Sequence, residues 1–195
     1  MDTHPVDSAQ AYLAGLASLF SLVEATTAEG RDLAIDAAIE PAVRMLLALR
    51  SGRRKAMLVG NGGSAAIVSH IQNDLFKMVG LRAIVFTEQP LLTALSNDDG
   101  YETVFRQPVE RWAERGDLLL AISSSGESNN IVTAVAAARE RGCEVLTFSG
   151  FSPANRLRQM GDVNFYVPAA SYGYVEMTHA VLCHCICDIA AARAK

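Results

Sequence analysis

The chain has 195 residues, half of them hydrophobic, and a formal net charge of −4 with its Lys and Arg scattered. That length and apolar share suit one globular domain with a substantial core, and the lack of a basic stripe argues against nucleic acid as a ligand. No apolar run reaches the roughly twenty residues that span a bilayer, and the start Met1-Asp2-Thr3-His4-Pro5 lacks the basic and apolar parts of a signal peptide, so a cytoplasmic location is expected.

Residues 11–26 and 32–50 carry apolar side chains at three- and four-residue spacing, which predicts two helices broken at Glu29-Gly30. Their apolar positions cover more than one face (Leu13, Leu16 and Phe20; Leu19, Leu22 and Val23), which predicts burial against another chain as well as the sheet. Arg53-Arg54-Lys55 reads as a short solvated cluster. From residue 56 the pattern changes. Short β-rich runs at 56–59, 83–87, 118–122, 144–149 and 164–167 alternate with helical stretches at 64–78, 101–115, 128–141 and 153–160. Parallel strands require such crossovers, so the expected class is α/β with a five-stranded parallel sheet behind two leading helices. A long, largely apolar helix over 174–193 ends the pattern, and no repeat, low-complexity tract or linker divides it. Cys183, Cys185 and Cys187 lie too close together for a disulfide framework and do not form a C-x-x-C pair; they read as reduced packing residues.

Two loops carry the first chemical signal. Gly60-Asn61-Gly62-Gly63-Ser64 follows the run at 56–59, and Ser123-Ser124-Ser125-Gly126-Glu127-Ser128 follows the run at 118–122. A helix start leaves backbone N–H groups unpartnered and partly positive, glycine lets the backbone close round an anion, and serine hydroxyls add donors. Two such corners predict one phosphorylated ligand held across the carboxyl edge of a parallel sheet. The first loop alone also fits the dinucleotide fingerprint G-x-G-x-x-A, with Glu88 as a ribose-binding acid, but that reading leaves the second loop unexplained.

The second signal lies on helices. His70 and Asp74 stand four apart on the helix opening at Ser64, and Glu176 and His184 stand eight apart on the last helix, so each pair shares a face. Two imidazoles and two carboxylates on facing helices suit a divalent metal such as zinc, or an acid–base pair. The competing readings are an ordinary surface pair for His70 and Asp74, and core packing for His179 or His184.

The ordered set Gly60-Asn61-Gly62-Gly63-Ser64, His70, Ser96-Asn97-Asp98-Asp99-Gly100, Ile122 through Ser128, and Gly173-Tyr174 leading to His184 resembles the sugar isomerase (SIS) fold, and within it the phosphoheptose isomerase family. The resemblance implies a single-domain, three-layer αβα sandwich and an aldose–ketose isomerase converting sedoheptulose 7-phosphate to a D-glycero-D-manno-heptose 7-phosphate for bacterial surface polysaccharides. It also implies a homotetramer with active sites between subunits, and zinc in several members. Carried over by position, Ser64, Ser123, Ser125 and Ser128 bind phosphate with Asn61, Gly62 and Ser124 close by. Asn97 and Asp98 sit near the sugar hydroxyls, and His70, Asp74, Glu176 and His184 form the metal and catalytic cluster. For proton transfer through a cis-enediol, the chemistry of this pair makes Asp74 the base and His184 its acid partner. The chain departs from the family at three places. Asp74 replaces a glutamate, Glu176 replaces a glutamine, and Met78 stands where a basic residue is usual, beside Lys77. An added carboxylate raises affinity for a divalent cation, so metal binding is expected. The alternative for the same fold is a non-catalytic module that senses phosphosugars or binds a protein partner, which would keep the serines but has no need of the His and carboxylate cluster.

Overall fold

The computed structural model describes residues 8–52 and 54–194. The start of the chain, read above for a leader, and Arg53 of the basic cluster lie outside these residues. In chain order the elements are α1 (Ala9–Leu19), β1 (Glu24–Thr27), β2 (Asp32–Leu33), α2 (Ile35–Ala48), β3 (Ala56–Gly60), α3 (Gly63–Asp74), β4 (Ala83–Val85), α4 (Gln89–Asp98), α5 (Arg106–Trp112), β5 (Leu118–Ser123), α6 (Asn129–Glu140), β6 (Glu144–Gly150), β7 (Val163–Val167) and α7 (Tyr172–Arg193).

Among the described residues the strands form one seven-stranded sheet in the order β2-β1-β7-β6-β5-β3-β4. The five strands from β3 onward pair in parallel, as expected. The sheet is wider than expected, because β1 and β2 extend it as an antiparallel hairpin on β7. Residues 24–26, predicted to end a helix, are therefore part of a strand, and Glu24 through Thr27 pair with Tyr166 through Val163 in reverse. Two further differences concern helices. Residues 89–98 form a helix that was not predicted, and the stretch at 153–160 holds only a 3₁₀ turn, Leu157–Gln159.

The strands read as unbroken apolar runs because both faces are covered. Leu118, Leu120 and Ile122 point to a core shared with α2, α3 and α7, while Leu119 and Ala121 point to a second core shared with α5 and α6. By length and composition α7 would suit a membrane span, which corrects the expectation that no segment does. Here it packs against α2 and α3, with Val175, Leu182, Cys183, Ile186 and Cys187 buried. All four cysteines are free, and burial pushes the Cys187 thiol up to about 12, with Asp74 and Asp188 adding to the rise.

Lys55 departs from the solvated reading. It is buried, its Nζ lies 2.5 Å from Asp117 Oδ2, and its backbone N–H donates to Asp117 Oδ1 at 2.9 Å. Asp117 is fully buried and also accepts the Glu114 N–H, so one carboxylate joins the starts of β3 and β5.

His179 is the core histidine of α7. It is fully buried, and its Nε2 lies 3.0 Å from the Ser149 carbonyl, which only accepts; Nε2 therefore carries the proton and Nδ1 is left without a partner. Burial drives its pKa from 6.5 down to about 4, against the smaller opposing effect of the Ser149 contact. The folded pKa lies below the unfolded one, so stability is complete above pH 6.5 and is lost as pH falls towards 4. The expected loss is about 3 kcal/mol over that window. Urea unfolding at pH 7.5 and at pH 4.5 measures it, and His179→Gln should remove most of the difference.

Candidate active site

The chain places β4 on one side of β3 and then returns to place β5 on the other, so the strand order reverses between β3 and β5. After β3 the chain enters α3 on one face of the sheet; after β5 it enters α6 on the other. A crevice opens at the carboxyl ends of such a pair, and this is where ligands of parallel α/β sheets bind. A cavity of about 220 Å³ lies there, lined by Asn61, Gly62, Gly63, Ser64, Ser123, Ser124, Ser125, Ser128, Tyr172 and Glu176. Asn61, Gly62 and Ser64 of the first loop and all four serines of the second are present, while Gly60, Gly126 and Glu127 of the two loops do not line it. Asn97 and Asp98 do not line it either: they end α4, exposed and hydrogen-bonded to each other at 2.8 Å. Just after them, the Tyr101 hydroxyl donates to Asn61 Oδ1 at 2.9 Å and so ties this part of the chain to the cavity.

The cavity has the features that suit an anion. α3, α6 and α7 all begin at it, and no side chain caps the start of any of them. Three helix N-termini with free N–H groups therefore present partial positive charge to one volume. The serine loop closes through Gly126, which turns at φ +67° where a Cβ would collide with the Asn155 carboxamide. Its N–H donates to Ser123 Oγ at 3.2 Å, and Ser123 Oγ lies 3.3 Å from Ser128 Oγ. The loop's own acid does not line the cavity: Arg156 binds Glu127 Oε2 through Nε at 2.7 Å, and its backbone N–H donates to Oε1 at 2.9 Å. Asn61 and Asn130 exchange amide hydrogen bonds, both 2.9 Å, tying the glycine loop to the first turn of α6.

From this cavity α3 and α7 run side by side, and the second constellation begins about 10 Å along α3 at His70 and reaches about 16–18 Å, at Asp74 on α3 and His184 on α7, taking 1.5 Å per residue. His184 Nδ1 lies 3.2 Å and His70 Nε2 3.7 Å from Asp74 Oδ2. The two rings are 5.1 Å apart, and one donor atom from each of the three residues lies within 4.8 Å of the others. Asp74 is nearly buried while both imidazoles are open, and the Asn73 amide donates to the remaining oxygen, Asp74 Oδ1, at 3.2 Å. Asp74 ends α3, and the next five residues, Leu75–Val79, form a π-helical turn, an irregularity often found beside functional residues. A groove of about 230 Å³ between the helices, lined by Ala66, Ile67 and Ala180, contains both imidazoles.

Glu176 is not part of this group. It was expected as a metal ligand, but its carboxylate lies against Gly63 in the anion cavity, where the missing Cβ leaves space for it. Two turns of helix separate it from His184. Glu88, the expected ribose acid, is exposed before α4 and does not line the cavity. The sequence reading also missed Tyr172, Tyr101 and Asn130. For Tyr172 the signal was available, since it stands four residues before Glu176 on the same helical face.

Residues 12–150 match the SIS domain family. A phosphoheptose isomerase of Geobacter sulfurreducens is 36% identical over 149 residues, covering 73% of this chain and 78% of its own. The structure of the Neisseria gonorrhoeae phosphoheptose isomerase matches with a TM-score of 0.81 at 30% identity, over 94% of this chain and 96% of that one. That of Francisella tularensis matches with a TM-score of 0.82 at 25% identity, over 96% and 98%. Fold and site together define a SIS-domain protein of the sugar-phosphate isomerase class. Within that class the chain belongs to the phosphoheptose isomerase family, whose members are aldose–ketose isomerases.

Proposed function

We propose that the protein isomerises sedoheptulose 7-phosphate to D-glycero-D-manno-heptose 7-phosphate in the cytoplasm, supplying heptose for surface polysaccharide, and that the whole chain acts as one SIS domain. The observation carrying this reading is the pairing of an anion cavity ringed by three helix starts with a carboxylate–imidazole cluster farther along the same two helices. With its phosphate at the serine corners, the open-chain ketose extends along α3 and α7 so that its first two carbons reach the cluster. Asp74 removes a proton from C1. The electron pair moves into the C1–C2 bond, and His184 protonates the C2 oxygen, giving a cis-enediol. Returning a proton to C2 while the C1 hydroxyl gives one up leaves the C1 aldehyde of the product. A module that only binds phosphosugars would leave the cluster of His70, Asp74 and His184 without a task.

Two imidazole nitrogens and a carboxylate from His70, Asp74 and His184 form the donor set of a catalytic zinc site with one position open, so the residues fit the zinc implied by the family resemblance. Bound zinc would instead supply a Lewis acid for the carbonyl oxygen, with His184 then a ligand in place of the acid. Glu176 would join this set only by leaving Gly63. Assembly into an oligomer, a tetramer by family resemblance, is supported by apolar residues left exposed beside the site, Met177 and Val181 on α7 and Phe76 and Met78 after α3.

Assays on sedoheptulose 7-phosphate and on five- and six-carbon ketose phosphates, with and without chelator, test the proposal. The expected result is fastest turnover of the seven-carbon substrate, loss of activity with chelator and its return with zinc. Failure to interconvert any phosphosugar would reject it.

A further inference from the structure

Phe151 is the one non-glycine residue with positive φ, +58°, among the described residues. A bulky residue holds this conformation only when its surroundings fix it, and such strain collects at functional sites. Phe151 is fixed from both sides: its N–H donates to the Ala169 carbonyl at 2.9 Å, and its own carbonyl accepts the Tyr166 hydroxyl at 2.9 Å. Its ring meets Tyr172 edge-on, with centroids 4.9 Å apart and planes at 67°. Tyr172 is the first residue of α7, lines the anion cavity, and is nevertheless 62% exposed. The strained turn therefore holds a large aromatic ring at the cavity mouth with much of its surface open, one helical turn from Glu176.

We propose that Tyr172 is a substrate-contacting specificity residue, which packs its ring on the carbon chain of the bound sugar phosphate, and that Phe151 is the residue positioning it. This rests on the functional reading above and extends it. The serine corners and helix starts supply the grip on phosphate, and Tyr172 supplies the preference for a phosphate that carries a sugar. A tyrosine suits the task because it offers an apolar body to C–H groups and a hydroxyl tip to water or to a sugar hydroxyl.

The test compares wild type, Tyr172→Ala, Tyr172→Phe and Phe151→Gly by calorimetric binding of sedoheptulose 7-phosphate and of inorganic phosphate, together with steady-state kinetics. Tyr172→Ala is expected to weaken sugar phosphate binding and raise KM by roughly tenfold, with kcat and phosphate affinity within about threefold of wild type. Tyr172→Phe should keep most of the sugar affinity, and Phe151→Gly should reproduce part of the alanine effect. Unchanged sugar binding in Tyr172→Ala would overturn the proposal. So would a parallel loss of phosphate affinity, which would place the residue's effect on the serine corners. A wild type that binds phosphate but neither binds nor converts the sugar phosphate would reject the functional reading itself, and the proposal with it.

Discussion

Replacing Asp74 with asparagine is expected to lower kcat by about 10²–10⁴-fold with KM changed only a few-fold, the loss typical of removing a positioned proton acceptor. The substitution keeps the side chain's volume in a nearly closed site and still offers an oxygen to the Asn73 amide. What it removes is the charge facing both imidazoles and the capacity to take a proton. Because Asp74 is also a donor to the expected zinc, metal content is to be measured alongside turnover. A variant that retains its metal and still loses kcat assigns the effect to proton transfer. Turnover at the wild-type rate would remove Asp74 from the chemistry.

The largest expected effect on stability comes from Asp117→Ala. The substitution strands the buried Lys55 ammonium and leaves the Lys55 and Glu114 backbone N–H groups without their acceptor. Removing one partner of a buried ion pair costs about 3–5 kcal/mol, which for a chain of this size lowers Tm by about 10 °C or more. Asp117→Asn keeps one acceptor oxygen and should fall between wild type and alanine. Thermal and urea unfolding check both. A loss below about 1 kcal/mol would mean that the pair is solvated in the folded protein.

The phosphate corners were legible because their chemistry is local. Glycine, serine and the strand–helix junction all lie within a few residues, and Asn61, Gly62, Ser64 and the four serines of the second loop line one cavity. The link between His70, Asp74 and His184 was legible through helical spacing, although spacing could not show that Glu176 turns back towards Gly63. What stayed hidden depends on distant partners. Residues 24–27 are a strand because they pair with β7 some 140 residues later, and Lys55 is buried because Asp117 receives it. α4 escaped notice because it is short, ten residues with Pro90 at its start, and its stripe of Leu92 and Leu95 packs on the second core without being fully buried. Tyr172 was overlooked because the last helix was predicted to start at residue 174, two residues after it, which hid its place one turn before Glu176; that Phe151 braces it is visible only in the fold.

A crystal structure of the Asp74→Asn protein with sedoheptulose 7-phosphate is the most direct test of how this molecule works. The expected result is a phosphate within hydrogen-bond distance of the Ser64, Ser123, Ser125 and Ser128 hydroxyls, and a sugar chain running along α3 and α7 that brings C1 and C2 to His184 and residue 74. A phosphate bound elsewhere with the serine corners empty, or a sugar directed away from the imidazoles, would contradict the account.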